Sequence, residues 1–218
     1  MNRKGPRIFS GQYNQILCLL AMVSLLVGMV GPVQYLPAHE VQAQGVGVTL
    51  DGTVSVATAD DVQTVEVPHT TGTGANRLLV VGVSWNSDMV ARTISSVTFT
   101  PDGGSAVALS PVVTRDHGTT TPYRYAAIYG LVNPPSGRSG KVNVTFTGGT
   151  VTAGIAVGVA NFAGVDQTTP FGVTGGAYSS TNNTTPTVTL SGLNGDELVI
   201  DTLFLGGNPP ATVNPGAG

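Results

Sequence analysis

The sequence predicts an all-β fold: an antiparallel β-sandwich of jelly-roll-like form, preceded by an N-terminal signal helix. Three observations carry this prediction. Beyond Gln44 the chain is rich in Thr, Val and Gly and low in charge, with charged residues only 10% of the whole sequence. Val and Thr fit a pleated surface, while Gly and Pro punctuate it. No segment of that region keeps the three-and-four apolar spacing of an amphipathic helix. Instead, roughly ten short apolar or alternating runs recur between turn residues, the pattern of a sandwich or barrel.

The first 43 residues read as an address. Arg3, Lys4 and Arg7 form a positive start, Ile16 to Val30 is apolar, and Val41-Gln42-Ala43 offers small side chains for cleavage. That is the layout of a secretory signal peptide. A spanning helix needs about 20 apolar residues, so a retained anchor is the alternative, kept open by the length of Gly31 to Ala43. Cleavage after Ala43 leaves 175 residues with 6 basic and 11 acidic side chains, a net charge of −5. No Lys/Arg cluster remains, which disfavours nucleic acid and anionic membrane surfaces as partners. The sole cysteine, Cys18, lies in the leader. The exported part therefore holds no disulfide and depends on burial, for which one domain of about 150 residues suffices.

Residues 44–205 form the predicted sandwich. Val46 to Ala57 alternates loosely around Asp51-Gly52 and reads as a first strand or hairpin. Val62, Val65 and Val67 lead to Pro68, which donates no ladder hydrogen bond and suits a strand end or edge. Leu78 to Trp85 is a short run of Leu and Val between turn residues, expected to be a central strand covered on both faces. Val97 and Phe99 share a face of the strand Ile94 to Thr100, and after the turn Pro101-Asp102-Gly103-Gly104, Val107 to Val113 returns. Tyr125, Ala127, Tyr129 and Leu131 lie on one side of the strand Tyr123 to Leu131, with Ala126 and Ile128 on the other. Lys141 to Thr147 alternates most regularly, with Val142, Val144 and Phe146 inward. Ala153 to Val165 sets Ile155, Val157 and Val159 against a small face of Gly154, Ala156, Gly158 and Ala160, which permits close approach of another layer. Thr187 to Leu190 and Glu197 to Leu205 read as the last two strands. Residues 206–218 have a Gly/Pro-rich loop or linker composition, so the expectation is either a flexible tail or the front part of a longer chain.

Several stretches together resemble one family. They are His69-Thr70-Thr71-Gly72-Thr73-Gly74-Ala75-Asn76-Arg77-Leu78-Leu79-Val80-Val81-Gly82-Val83-Ser84, Ile94-Ser95-Ser96-Val97-Thr98, Ile128-Tyr129-Gly130-Leu131-Val132-Asn133-Pro134-Pro135-Ser136-Gly137, Val142-Asn143-Val144-Thr145-Phe146, and Asn161-Phe162-Ala163-Gly164-Val165-Asp166-Gln167-Thr168-Thr169-Pro170. In order and spacing, from about Val62 to Leu205, the chain resembles a secreted bacterial β-sandwich module of extracellular and cell-surface multidomain proteins. The resemblance implies a non-catalytic module beside adhesive, immunoglobulin-like or carbohydrate-related neighbours, and no active-site residues to carry over. It also implies further strands containing a Trp beyond the end of this sequence, so that a missing strand leaves an open edge.

Chemistry is sparse. Gly72-Thr73-Gly74 precedes a strand, whereas a phosphate-binding loop follows one and opens a helix. His69, Asp116, His117 and the serines allow a Ser/His/Asp set on paper, but no Gly-x-Ser-x-Gly elbow exists. No His/Cys spacing suits zinc. Oxygen ligands for calcium occur in loops, with Asp88, Asp166 and Asp196 the metal candidates, although Asp166 reads better as a turn former bonding nearby backbone N–H groups. Calcium is the one cofactor candidate. Exposed aromatics beside polar groups would recognise sugars, and Trp85, Tyr123, Phe171 and Tyr178 are the ligand-binding candidates, with a core role the stronger reading for Trp85. Arg77 could pair locally with Asp201 or Glu197. The expected function is a secreted or cell-surface, non-enzymatic structural or adhesion module facing an extracellular glycan or protein surface. A carbohydrate-binding module with structural calcium is the first alternative. A fibre subunit joined by strand complementation, with neighbouring modules or subunits as partners, is the second.

Overall fold

The apolar run that opens at Leu78 becomes an 11-residue strand on which both layers of the molecule rest. The computed structural model describes residues 47–116, 121–179, 187–195 and 197–204. In chain order the elements are β1 (Thr49–Leu50), β2 (Ser55–Ala59), β3 (Thr64–Thr70), β4 (Leu78–Asp88), β5 (Ile94–Pro101), β6 (Val107–Ala108), β7 (Ser110–Asp116), β8 (Tyr123–Val132), β9 (Ser139–Phe146) and β10 (Ile155–Ala163). Among the described residues there is no helix. The expected signal helix within 1–43 and the tail 206–218 lie outside them.

All the strand pairs are antiparallel and fall into two sheets. A six-stranded sheet runs β10-β4-β8-β7, with β1 and β2 both on the far side of β10, and a four-stranded sheet runs β3-β9-β5-β6. β4 pairs with β10 on one side and β8 on the other, so its backbone groups are satisfied without water. The alternation of β4 sorts its side chains. Leu79, Val81, Val83 and Trp85 face the four-stranded sheet, where they meet Val65, Val67, Val97, Phe99, Val142, Val144 and Phe146. Leu78 and Val80 face the other way, with Ile128, Ala160 and Phe162. Full burial of one such side chain contributes about 1.5–3 kcal/mol. The inner cluster, 18 side chains in all, is what holds the two sheets together without a disulfide in the described chain.

The two outer faces differ. On the four-stranded sheet, Thr64, Glu66, Lys141, Ser96 and Thr145 point to solvent or lie at its surface, and Glu66 pairs with Lys141 at 2.8 Å. On the six-stranded sheet the outer face is apolar and is covered by Phe171, Leu198 and Ile200 from the segment after β10. A Cβ at Gly130 would stand 2.2 Å from the Phe171 ring, so glycine is what lets that ring lie on the sheet.

Three expectations change. β1 and β2 do not form a hairpin; they pair one after the other along the same edge of β10, because Asp51 turns its carboxylate to the amides of Thr73 and Gly74. The returning strand Val107 to Val113 is divided: β6 stays with β5, and after the buried Leu109, whose N–H donates to Val97 O at 2.9 Å, β7 joins β8 in the other sheet. Among the described residues, 187–190 and 197–204 are assigned no strand. Their alternation reflects one side lying on the apolar outer face, as Leu198 and Ile200 do. Pro68, by contrast, faces outward on β3, whose only ladder partner among the described residues is β9, in keeping with the edge reading.

Candidate functional site

Between the first half of β5 and the end of β7 the two sheets part. β6 pairs with β5 at Thr98 and Phe99, and among the described residues the start of β5 has no ladder partner on that side. The gap is a cleft of about 410 Å³, within the range of small-ligand sites. Trp85 and Tyr125 form its floor, Thr93 and Ile94 one wall, and Thr114, Arg115, Asp116 and Tyr129 the other.

Register explains which side chains turn inward. Thr114 pairs with Ala127 and Asp116 with Tyr125, both inner-face positions, so Thr114 and Asp116 share the inner face. Arg115 pairs with Ala126 between them, and its stem runs across Gly176, where an added Cβ would meet Arg115 Cγ at 2.2 Å. Trp85 and Tyr125 stack with ring centroids 4.7 Å apart and planes 15° apart, while Phe146 meets Trp85 edge-on at 5.4 Å. The indole Nε1–H donates to Arg92 O at 2.8 Å, so the one polar atom of the ring is satisfied. Burial pushes the Tyr125 hydroxyl above its ordinary pKa, and the Asp116 carboxylate and Tyr123 add to this; burial also raises Tyr129.

The four aromatic candidates do not converge. Trp85 is 1% exposed and belongs to the inner core. Tyr123 is half-buried at the start of β8 and packs against that same cluster. Phe171 is half-buried on the opposite face of the sheet, and Tyr178 is exposed. Of the metal candidates, Asp88 is exposed at the end of β4 with φ 55°, and its N–H donates to Asn86 Oδ1. Asp166 Oδ1 accepts N–H bonds from Thr168 at 2.7 Å and Thr169 at 3.1 Å, which hold its carboxyl below the usual range and fix the turn. Asp196 lies outside the described residues, as does His117. Among the described residues no three His, Cys, Asp or Glu side chains gather into a metal-binding group. Arg77 directs its donors to Gly74 O, Pro134 O and Asn133 Oδ1, bracing the loop before β4 instead of forming the expected ion pair.

A polar cluster that the sequence does not reveal lies at the other side of the sandwich. His69 of β3 reaches across to the six-stranded sheet, with Nδ1 2.9 Å from Ser55 Oγ of β2 and Nε2 against the Asn161 amide of β10. With the amide nitrogen donating to Nε2, the ring's Nδ1–H donates to Ser55, and Asn161 Oδ1 is left without a partner. Burial lowers the His69 pKa to about 4, so the ring is neutral at pH 7. Serine, histidine and amide stand in the order of a nucleophile, base and orienting group. His69, however, is 4% exposed and Asn161 1%, so the base and the amide lie in the core, with Ser55 half-buried on β2. Its members are too far apart in sequence for spacing to signal them. Comparison with protein-family models, with curated proteins and with solved structures finds no match for this chain.

Proposed function

We propose that this chain is an exported β-sandwich module, jelly-roll in connectivity, that holds a partner at its surface and does not transform it. Alternation between sheets supports the jelly-roll reading. The β1–β2 edge, β4, β8 and β10 lie in one sheet and β3, β5, β6 and β9 in the other, with β7 added outside β8. The leader features at Arg3, Lys4, Arg7 and Ile16 to Val30 support export, to the extracellular space or the cell surface. The observation that supports the non-catalytic reading is the burial of His69 and Asn161: the base of the trio lies inside the sandwich, and only Ser55, half-buried on β2, approaches the surface. Expression with the native leader, fractionation, and N-terminal sequencing of the exported form test the localisation; a mature chain beginning at Gln44 is expected. A broad hydrolase screen tests the other half, and turnover abolished by Ser55→Ala would overturn it.

A carbohydrate-binding module, with or without structural calcium, is the second reading, favoured by the aromatic-floored cleft with its carboxylate and hydroxyls. A glycan array with and without chelator separates the two. Silence on every glycan removes the second reading, and loss of signal with chelator assigns the calcium. Among the described residues β7 pairs with β8 alone, which leaves strand complementation into a fibre as a third arrangement; electron microscopy showing only monomers removes it.

A further inference from the structure

We propose that Arg115 and Arg124 form a seat for one oxyanion, the carboxylate or sulfate of an acidic saccharide; the proposal rests on the carbohydrate-binding reading above. Six cationic side chains follow residue 43. Four of them are committed to the fold: Arg77 donates to Gly74 O and Pro134 O, Arg92 to Thr150 O and Arg138 to Asp102 O, while Lys141 pairs with Glu66. Arg115 and Arg124 are the other two. Among the described residues, neither meets a hydrogen-bond acceptor or a carboxylate.

Register brings the two together. Tyr125 and Ala127 take the inner face of β8, so Arg124 and Ala126 lie on its outer face. Arg115 pairs with Ala126, which makes Arg124 its diagonal neighbour on that face, about 7–8 Å away and within reach of long side chains. Each guanidinium is placed by packing and not by a bond. The Phe204 ring centroid lies 5.8 Å from Arg124 Cζ, Arg124 Nε is buried without a partner, and Gly176 gives passage to the Arg115 stem. Asn86, across the ladder from Arg124, accepts the Asp88 N–H at Oδ1 and leaves its Nδ2 donors uncommitted. Two such forks with unused donors suit an oxyanion, which takes parallel N–H bonds from a guanidinium edge. Asp116 turns to the opposite face of β7. Residues 44–218 carry a net charge of −5, so a densely charged polymer is repelled and a single acidic group among neutral sugars is preferred. Arg115 also lines the aromatic-floored cleft, which gives a neighbouring ring of the same saccharide a place to lie.

The test applies the full chain to a glycan array bearing uronate-containing, sulfated and neutral members. Calorimetric titrations with trigalacturonate, its methyl ester, galactose 6-sulfate and sodium sulfate run in parallel. Arg115→Gln and Arg124→Gln are measured beside the parent and beside Lys141→Gln on the other sheet, with circular dichroism confirming that each folds. Arg124→Lys takes the place of Arg124→Gln should the latter not fold. At least one acidic saccharide is expected to bind about tenfold or more above its neutral counterpart, and to weaken about tenfold in either Gln variant of the pair. Its affinity is expected to survive Lys141→Gln and to fall several-fold as salt rises from about 20 to about 200 mM. Binding confined to neutral glycans, acidic binding that neither Arg substitution weakens, or equal weakening by Lys141→Gln overturns the seat and leaves carbohydrate recognition standing. Sodium sulfate bound as tightly as the acidic saccharides overturns the saccharide source. Silence on every glycan and in every titration overturns the seat and the carbohydrate reading together.

Discussion

Lowering the pH from 7 to 4.5 is expected to weaken the sandwich through His69 alone by about 2 kcal/mol. The ring is held neutral between the sheets, facing Ser55 from β2, Asn161 from β10 and Gly140 across the ladder from β9, none of which carries charge. Its pKa is about 4 in the fold against the ordinary 6.5, with burial as the cause. Because the folded value is the lower one, the unfolded chain takes up the proton first. The stabilisation is therefore complete above about pH 6.5 and falls away as pH drops toward 4. One proton over that window costs about 1.4 kcal/mol per pH unit, giving about 2.5 kcal/mol by pH 4.5 and nearer 2 once the site relaxes. The assay is urea unfolding at a series of pH values, comparing the parent with His69→Gln, which keeps hydrogen-bonding capacity and cannot titrate there. At pH 7 the substitution is expected to cost about 1–3 kcal/mol in lost packing and bonds. Its stability is then expected to change less between pH 7 and 4.5 than the parent's, by one proton's slope. Parallel curves for the two proteins would refute the reasoning, since carboxylates common to both would then account for all the acid sensitivity.

Trp85→Phe removes the Nε1–H bond to Arg92 O and leaves a void beside Tyr125; a loss of about 1–3 kcal/mol in urea unfolding followed by circular dichroism is expected. Gly130→Ala sets a methyl group into the Phe171 ring. It is expected to cost about 1–3 kcal/mol by itself and less in a Phe171→Leu background, a coupling that a double-mutant cycle reads. Gly140→Ala meets backbone, with Thr100 O at 2.3 Å and Pro101 Cα at 2.7 Å from the new Cβ. The clash must separate β9 from β5, so about 3 kcal/mol or more is expected, with thermal unfolding as the measurement.

Much of the frame was legible because it rests on local patterns. The run at Leu78 marks a strand buried on both faces, and β4 is central. Val142, Val144 and Phe146 alternate inward, and Tyr125 and Ala127 share the face that the sequence gives them. Alternation reports two environments and not ladder pairing, which is why 197–204 reads as a strand yet is assigned none among the described residues. The crossing at Leu109 also escapes notice, since a strand that changes sheets keeps the same residue types on both sides of the step. The site was the least legible part. Asp116 joins Trp85 and Tyr129 only because β7 and β8 pair in one register, and His69 finds Ser55 and Asn161 only once the sheets stack. Composition sees none of these meetings.

The apolar covering on the outer face of the six-stranded sheet leaves the molecule with unequal sides. A protease that trims the chain after β10 would spare every ladder found among the described residues. It would also strip the lid from Leu78, Val80 and Phe162 and lay bare a greasy back opposite a hydroxylated front. Bare apolar ground of that kind finds other surfaces or its own copies, so one nick there would convert a discrete particle into a sticky one while its circular dichroism hardly changed.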